Sequence, residues 1–221
     1  YRATNAPLPT YVVRLALGIA ALLGIQMELA ESERQRQLVV RARLEALQAQ
    51  IRPHFLFNVL NTIIMFSRTD PDRSRELLVS LAQFFRRSLT TRGNMNTFQD
   101  ELEYINIYLS LEKARFGEKL QVKLKVDPRV TGASVPVLTL QPLVENAIVH
   151  GLAPKEDTGV VGIRARQVGD HLHILIADNG IGMDRETQRR VFEEGFGTNM
   201  GLGLTNVNER LISLYRPEYR L

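Results

Sequence analysis

Glu145-Asn146-Ala147-Ile148-Val149-His150-Gly151 is the stretch whose reading decides the fold. On a helix Asn146 and His150 stand four apart and share a face, with Glu145 beside them. A hard cation such as Mg²⁺ takes oxygen ligands and keeps several waters, so an asparagine carbonyl and nucleotide phosphates can serve it together. Read alone, the same letters also describe a helix end closed by a glycine. The neighbouring sequence decides between the two.

Two further segments follow in the C-terminal half. Asp178-Asn179-Gly180-Ile181-Gly182 places a carboxylate where a strand ends, followed by glycines. Such a carboxylate can accept a hydrogen bond from an exocyclic amine, and glycines let the backbone pass close to a flat ring. Gly201-Leu202-Gly203-Leu204 opens the last helix. A glycine-rich turn with free N–H groups at a helix N-terminus suits phosphate. Each segment is common by itself. Their order, with a strand before the second and a helix after the third, points to one nucleotide pocket.

The elements around them read as α+β. Leu120 to Val126 alternates apolar residues with Gln and Lys, the period of a half-buried strand. Pro136 to Leu152 reads as helical. Val160 to Val168 and Leu172 to Ala177 read as strands joined by a tight turn at Gly169-Asp170. A short polar helix, Arg185 to Phe192, interrupts a glycine-rich stretch, and Leu204 to Tyr215 forms the last helix. Helices are expected on one face of a mixed or antiparallel sheet.

Upstream the pattern is helical. Leu22, Ile25 and Leu29, then Val40, Leu44, Leu47 and Ile51, recur by three and four, the spacing of a bundle or coiled-coil seam. Glu31 to Gln37 is a solvated interruption. Thr69-Asp70-Pro71-Asp72 is a turn in which Asp70 or Asp72 can cap the next helix. Leu77, Leu78, Leu81, Phe84, Phe85 and Leu89 mark that helix, and Phe98 to Phe116 marks a third. Two or three helices with short turns imply an antiparallel hairpin, whose apolar faces are best buried by a second hairpin, so a homodimer is expected.

One titratable side chain sits beside the seam. His54 follows Pro53 within Gln50-Ile51-Arg52-Pro53-His54-Phe55-Leu56-Phe57-Asn58, and a proline inside a helix removes a hydrogen bond and favours a kink. By itself His54 reads as a structural histidine. The nucleotide pocket expected downstream makes it a candidate phosphate acceptor.

Composition bounds the rest. The chain has 221 residues, a formal charge of +4 and no cysteine. Disulfides and cysteine-ligated metals are excluded. Basic residues are scattered over helix faces, so no direct binding of nucleic acid is expected. The apolar run Tyr11 to Met27 contains Arg14, and its uncharged part is shorter than the roughly 20 residues a bilayer span requires. A buried or dimer-forming helix is expected there, in a chain whose first residue, Tyr1, suggests a fragment. His171 and His173 face one side of a strand and read as a surface pair before they read as metal ligands.

The three downstream segments resemble the N box and the two glycine boxes of the GHKL (Bergerat-type) ATP-binding fold. The stretch Gln48 to Asn58 resembles the phosphoacceptor motif of the LytS-like sensor histidine kinases, as does Tyr108-Leu109-Ser110-Leu111-Glu112-Lys113-Ala114-Arg115-Phe116-Gly117. The resemblance covers about Glu31 to Tyr215. It implies an N-terminal helical hairpin forming a dimeric four-helix bundle, followed by a GHKL α/β sandwich. It also implies boundaries: 1–30 as a signalling helix leaving an upstream GAF-type sensor domain, 31–117 for dimerisation and phosphotransfer, and 118–221 for catalysis.

The implied function is ATP-dependent autophosphorylation on His54, then transfer to an aspartate of a response regulator receiver domain, in the cytoplasmic part of a membrane-anchored sensor. The alternative is a GHKL-type ATPase that drives conformational change without a phosphohistidine. The resemblance implies ATP and Mg²⁺, with Asn146 as the metal ligand and Asp178 on the adenine amine. His150, Gly151, Gly180, Gly182, Thr198, Gly201, Gly203 and Leu204 would shape the pocket and its lid, which spans Met183 to Met200. Glu145 would act as a base or orient the site, and Asn58 would either serve dephosphorylation or bond within the bundle. Many histidine kinases carry an acid directly after the phosphoacceptor; here Phe55 stands there, and the base serving His54 has no assigned residue.

Overall fold

The computed structural model describes residues 24, 26–28, 31, 34, 53–90, 93–192, 201–215, 219 and 221. The chain divides into two units, Tyr1–Phe55 and Leu56–Leu221. In the first unit, residues 24, 26–28, 31 and 34 are helical and exposed, and Pro53 opens helix α1, Pro53–Thr69. The rest of the expected helix from Tyr11, most of Glu31–Gln37 and the seam from Val40 to Ile51 lie outside the described residues. So do Ile51 and Arg52, which the expected kink at Pro53 involves. Among the described residues no helix is long and apolar enough to cross a membrane.

In the second unit α1 turns into α2, Pro71–Thr90. Asp70 makes the turn: its carboxylate accepts from the Arg73 N–H at 3.0 Å and caps α2. Ser74 Oγ donates to the Ile63 carbonyl at 3.2 Å and ties the hairpin together. Val59 and Ile63 on α1, with Leu77, Leu81 and Phe84 on α2, are buried. Phe57, Ile64, Met65, Leu78 and Val79 stay exposed on the same two helices.

Strand β1, Met95–Thr97, leads into α3, Phe98–Phe116. A capping box fixes the start of α3: Thr97 Oγ1 accepts from the Asp100 N–H at 3.1 Å, and Asp100 Oδ2 accepts from the Thr97 N–H at 3.2 Å. Gly117, at φ 59°, ends it. Phe84 stacks on Tyr104 with ring centroids 5.1 Å apart, which docks α2 on α3.

Strand β2, Leu120–Val126, runs parallel to β4, Gly159–Val168, and β5, His171–Asp178, pairs antiparallel with β4. The sheet is therefore mixed, in the order β2-β4-β5. The β4–β5 connection is the two-residue turn expected at Gly169-Asp170, with Gly169 at φ 59°. Val161, Ile163 and Ala165 of β4 are buried. Gly162, Arg164, Leu175 and Ala177 line the open face with Lys123 and Lys125.

The helix expected from Pro136 begins later. Ser134–Pro136 is strand β3, paired antiparallel with β1. Leu138 then turns through φ 58°, and α4 runs Leu140–Asn146. The correction has a physical reason. The Pro136 partner lies 41 residues upstream at Met95, a pairing that local periodicity cannot show. Helix α4 continues as a π-helical turn, Ala147–Leu152. After α5, Arg185–Arg190, the last helix α6 spans Gly201–Leu214, starting at the glycines and not at Leu204. The unit is α+β, with a helical hairpin before an α/β sandwich.

Candidate nucleotide site

The site is built around α4. Its N-terminus is held from α3 by Glu101, a carboxylate only 5% exposed. Glu101 accepts from the backbone N–H groups of Leu138 at 3.0 Å, Thr139 at 2.9 Å and Leu140 at 3.2 Å, and from Asn96 Nδ2 at 3.2 Å. A carboxylate at a helix N-terminus satisfies orphan donors and complements the helix dipole. Sequence reasoning missed this residue, because its partners lie 37 to 39 positions away.

At the far end of α4 Asn146 is 7% exposed, and neither atom of its amide has a hydrogen-bond partner among the described residues. Buried amides are normally paired, and leaving one unpaired costs on the order of 1–3 kcal/mol. Among the described residues no cluster of three His, Asp or Glu side chains could hold a metal. One amide oxygen with phosphates and water fits Mg²⁺, which needs few protein ligands.

The stretch from Asn146 to His150, expected to share one helix face, crosses the start of the π turn Ala147–Leu152. The Ala153 N–H bonds to the Ile148 carbonyl, five residues back, at 2.8 Å. His150 is half-buried and engaged with its surroundings.

Gly151, Asp178 and Gly180 come together. The Ile181 N–H donates to the Gly151 carbonyl at 3.0 Å, and Asp178 Oδ1 accepts from the Gly180 N–H at 2.8 Å. A Cβ on Gly151 would stand 2.7 Å from Asp178 Oδ1, and one on Gly180 would stand 2.3 Å from the Gly151 carbonyl oxygen. At 180 only glycine fits, because the atoms met are backbone; at 151 a side chain would have to displace the Asp178 carboxylate. Gly182 turns through φ 73°. Asn179 Oδ1 accepts from the Val160 N–H at 2.7 Å and fixes the start of β4 against the end of β5, a role that its place in the segment does not signal.

The third segment closes on the same helix. A Cβ on Gly203 would lie 3.1 Å from Pro142 Cβ and 4.0 Å from Asn146 Nδ2. Gly201 opens α6, and Leu204 is half-buried. The structure therefore brings Asn146, Gly151, Asp178, Gly180 and Gly203 into one region. Thr198, Gly195, Gly197 and Met200 lie outside the described residues.

Comparison with known proteins agrees with this geometry. Residues 42–120 match the histidine kinase family, and residues 134–220 match the histidine kinase-, DNA gyrase B- and HSP90-like ATPases. The chain belongs to the histidine kinases. Sensor histidine kinase BtsS of Escherichia coli K12 is 38% identical over 215 residues, covering 92% of this chain and 38% of BtsS. Sensor protein LytS of Bacillus subtilis is 39% identical over 210 residues, covering 94% of this chain and 35% of LytS. Sensor histidine kinase YpdA of E. coli K12 is 38% identical over 202 residues, covering 91% and 35%. The chain thus spans between 35 and 38% of these relatives' length.

In this histidine kinase His54 lies on α1 and is exposed. Asn58, one turn on, is half-buried, and its carbonyl accepts from Thr62 Oγ1 at 2.9 Å. Glu145 is half-buried, and its Oε1 accepts from Gln141 Nε2 at 2.7 Å. Burial raises the Glu112 carboxyl above its usual range, although Arg115 stands 2.7 Å away.

Proposed function

We propose that the chain is the kinase core of a two-component sensor, which transfers the γ-phosphoryl group of ATP to His54 and then to an aspartate of a response regulator receiver domain. The observation that carries this reading is the buried amide of Asn146, unpartnered among the described residues and set near the Gly151–Asp178–Gly180 cluster and Gly203. Asp178 recognises the adenine amine, and the glycines admit the ring and phosphates. Thr198 belongs to a lid over the phosphates. Asn146 Oδ1 holds Mg²⁺, which when bound offsets the charge of the phosphates.

In the transfer the bond from the γ-phosphorus to the ADP oxygen breaks, and a P–N bond forms to the His54 imidazole. ADP leaves, and the imidazole proton passes to base or solvent. The protein's part is positioning and charge neutralisation. Glu145, next to Asn146, orients the site.

The exposed apolar stripe Phe57, Leu60 and Ile64 on α1, with Leu78 and Val79 on α2, supports a homodimer in which two hairpins form a four-helix bundle. We assign residues 31–117 to dimerisation and phosphotransfer, 118–221 to catalysis and 1–30 to the signal input. Dependence on ATP favours a cytoplasmic position below a membrane-anchored sensor.

Labelled ATP tests the reading. The protein is expected to acquire acid-labile, alkali-stable phosphate, and His54→Gln is expected to abolish it. Label persisting in that variant would overturn the role of His54. Release of free phosphate with no phosphoprotein at any time would instead establish the GHKL ATPase alternative.

A further inference from the structure

Gln141 is 9% exposed, sits in the first turn of α4 and donates to Glu145 from Nε2 at 2.7 Å. Its carboxamide also lies close enough to the Tyr104 hydroxyl on α3 to act on it. Tyr104 lies 2.7 Å from Ser88 Oγ on α2, and Ser88 Oγ lies 3.1 Å from the Phe84 carbonyl. One proton arrangement satisfies every group. A serine hydroxyl has a single proton, and a carbonyl can only accept, so Ser88 donates to Phe84. The Tyr104 proton then goes to Ser88, which leaves the Tyr104 oxygen able to face a donor. A primary amide nitrogen carries two protons, so Gln141 Nε2 can donate to Glu145 and still turn a proton towards Tyr104.

We infer that Gln141 is a positioning residue that fixes the Glu145 carboxylate beside Asn146, and that Tyr104 and Ser88 tie this grip to the hairpin helix α2. The inference rests on the reading of Glu145 as a group that orients the phosphoryl-transfer site.

The chemistry favours a dedicated donor here. Glu145 feels the buried carboxylate of Glu112, a like charge, and both lie near Tyr108. A donor 2.7 Å away, one helical turn back, holds Glu145 in one rotamer. Gln141 is itself held: its second proton can turn towards a tyrosine whose ring is stacked on Phe84. A polar chain that is satisfied from end to end has one low-energy geometry, and this is how a side chain is positioned with precision. Displacing α2 at Ser88 would release Tyr104, then Gln141, then Glu145.

The test is a double-mutant cycle on autophosphorylation by the full-length kinase, with binding of a non-hydrolysable ATP analogue followed in parallel. Gln141→Met keeps the volume and removes both donors. It is expected to lower kcat about 10- to 100-fold, the range for one hydrogen bond to a charged group, while KM for ATP moves little. Tyr104→Phe keeps the ring packing and is expected to lower kcat severalfold. In a Glu145→Gln background neither change should have a further effect, because both act through Glu145. A folding defect shows as lost analogue binding, in which case Tyr104→Phe, the milder change, carries the test. Effects that multiply in the Glu145→Gln background would overturn the inference while leaving Glu145 its role. So would an unaltered rate in Gln141→Met beside a lowered rate in Glu145→Gln. An unaltered rate in Glu145→Gln would overturn the reading of Glu145 itself.

Discussion

Replacing Asn146 by leucine separates what the residue costs from what it does. Its amide is buried and has no hydrogen-bond partner among the described residues. Leucine is close in size and has no polar atom. The ligand-free protein is therefore expected to become more stable by about 1–3 kcal/mol, the usual cost of an unpaired buried amide. In a chain of this size each kcal/mol moves the melting temperature by about 2–4 °C. With Mg²⁺ and an ATP analogue the order should reverse. A ligand at a thousandfold excess over its Kd stabilises the folded state by about 4 kcal/mol, and the variant gains none of it. The assay is urea or thermal unfolding of parent and Asn146→Leu, each with and without Mg²⁺ and analogue. A variant less stable than its parent without ligand would show that the amide is already satisfied. A variant that keeps the ligand-induced shift would remove Asn146 from the metal and nucleotide cradle.

Gly180→Ala puts a methyl 2.3 Å from the Gly151 carbonyl oxygen, a backbone atom that cannot turn aside, so we expect a loss of about 1–3 kcal/mol together with weakened analogue binding; unchanged affinity would sink the tight Gly151–Gly180 contact. Glu112 gives a pH dependence. Burial raises its folded-state pKa above the ordinary 4.5, so the folded state holds the proton more firmly than the unfolded chain. That contribution is complete below pH 4.5 and is lost as pH rises through the folded value. Glu112→Gln should therefore gain on its parent as pH increases from 4.5, in urea midpoints; a gap that narrows instead would show that the Arg115 pair outweighs burial. Ile64, 58% exposed on α1, lies in the stripe assigned to the dimer, and Ile64→Glu is expected to yield monomers in sedimentation; a variant still dimeric at micromolar concentration would refute that placement.

What the sequence revealed follows the range of the interaction involved. Helix α3 was legible at both ends because its signals are local: Thr97 and Asp100 at the start and Gly117 at the end. The strands β2, β4 and β5 and the turn at Gly169-Asp170 were legible from alternation and a two-residue loop. The start of α4 was not, because the β1–β3 pairing and the cap from Glu101 both reach across about 40 residues. The π turn at Ala147–Leu152 leaves no signature in an apolar run. The glycines were expected to let backbone pass close to a flat ring, whereas the close approaches seen are between protein segments. Which backbone they approach became visible only with Asp178 and Gly151 side by side.

The polar residues of α3 explain why that helix matters to both halves of the kinase. Glu101, Tyr104, Tyr108 and Glu112 recur by three, four and four, so they form one stripe, and all four are buried. Two of the four are carboxylates, which a helix chosen for stability alone would not bury there. Each carries a separate duty towards α4. Glu101 holds its first turn by three backbone N–H groups, and Tyr104 reaches Glu145 through Gln141. Tyr108 is hydrogen-bonded to Glu112, and both act electrostatically on Glu145. On its other side α3 meets α2 through Phe84 and Ser88. A buried polar stripe has fewer acceptable geometries than an apolar one, because any shift leaves a donor or a charge unpaired. Helix α3 therefore transmits position: where α2 sits fixes where the α4 carboxylate points. An apolar stripe at positions 101, 104, 108 and 112 would give a more tolerant core and uncouple the hairpin from the nucleotide site.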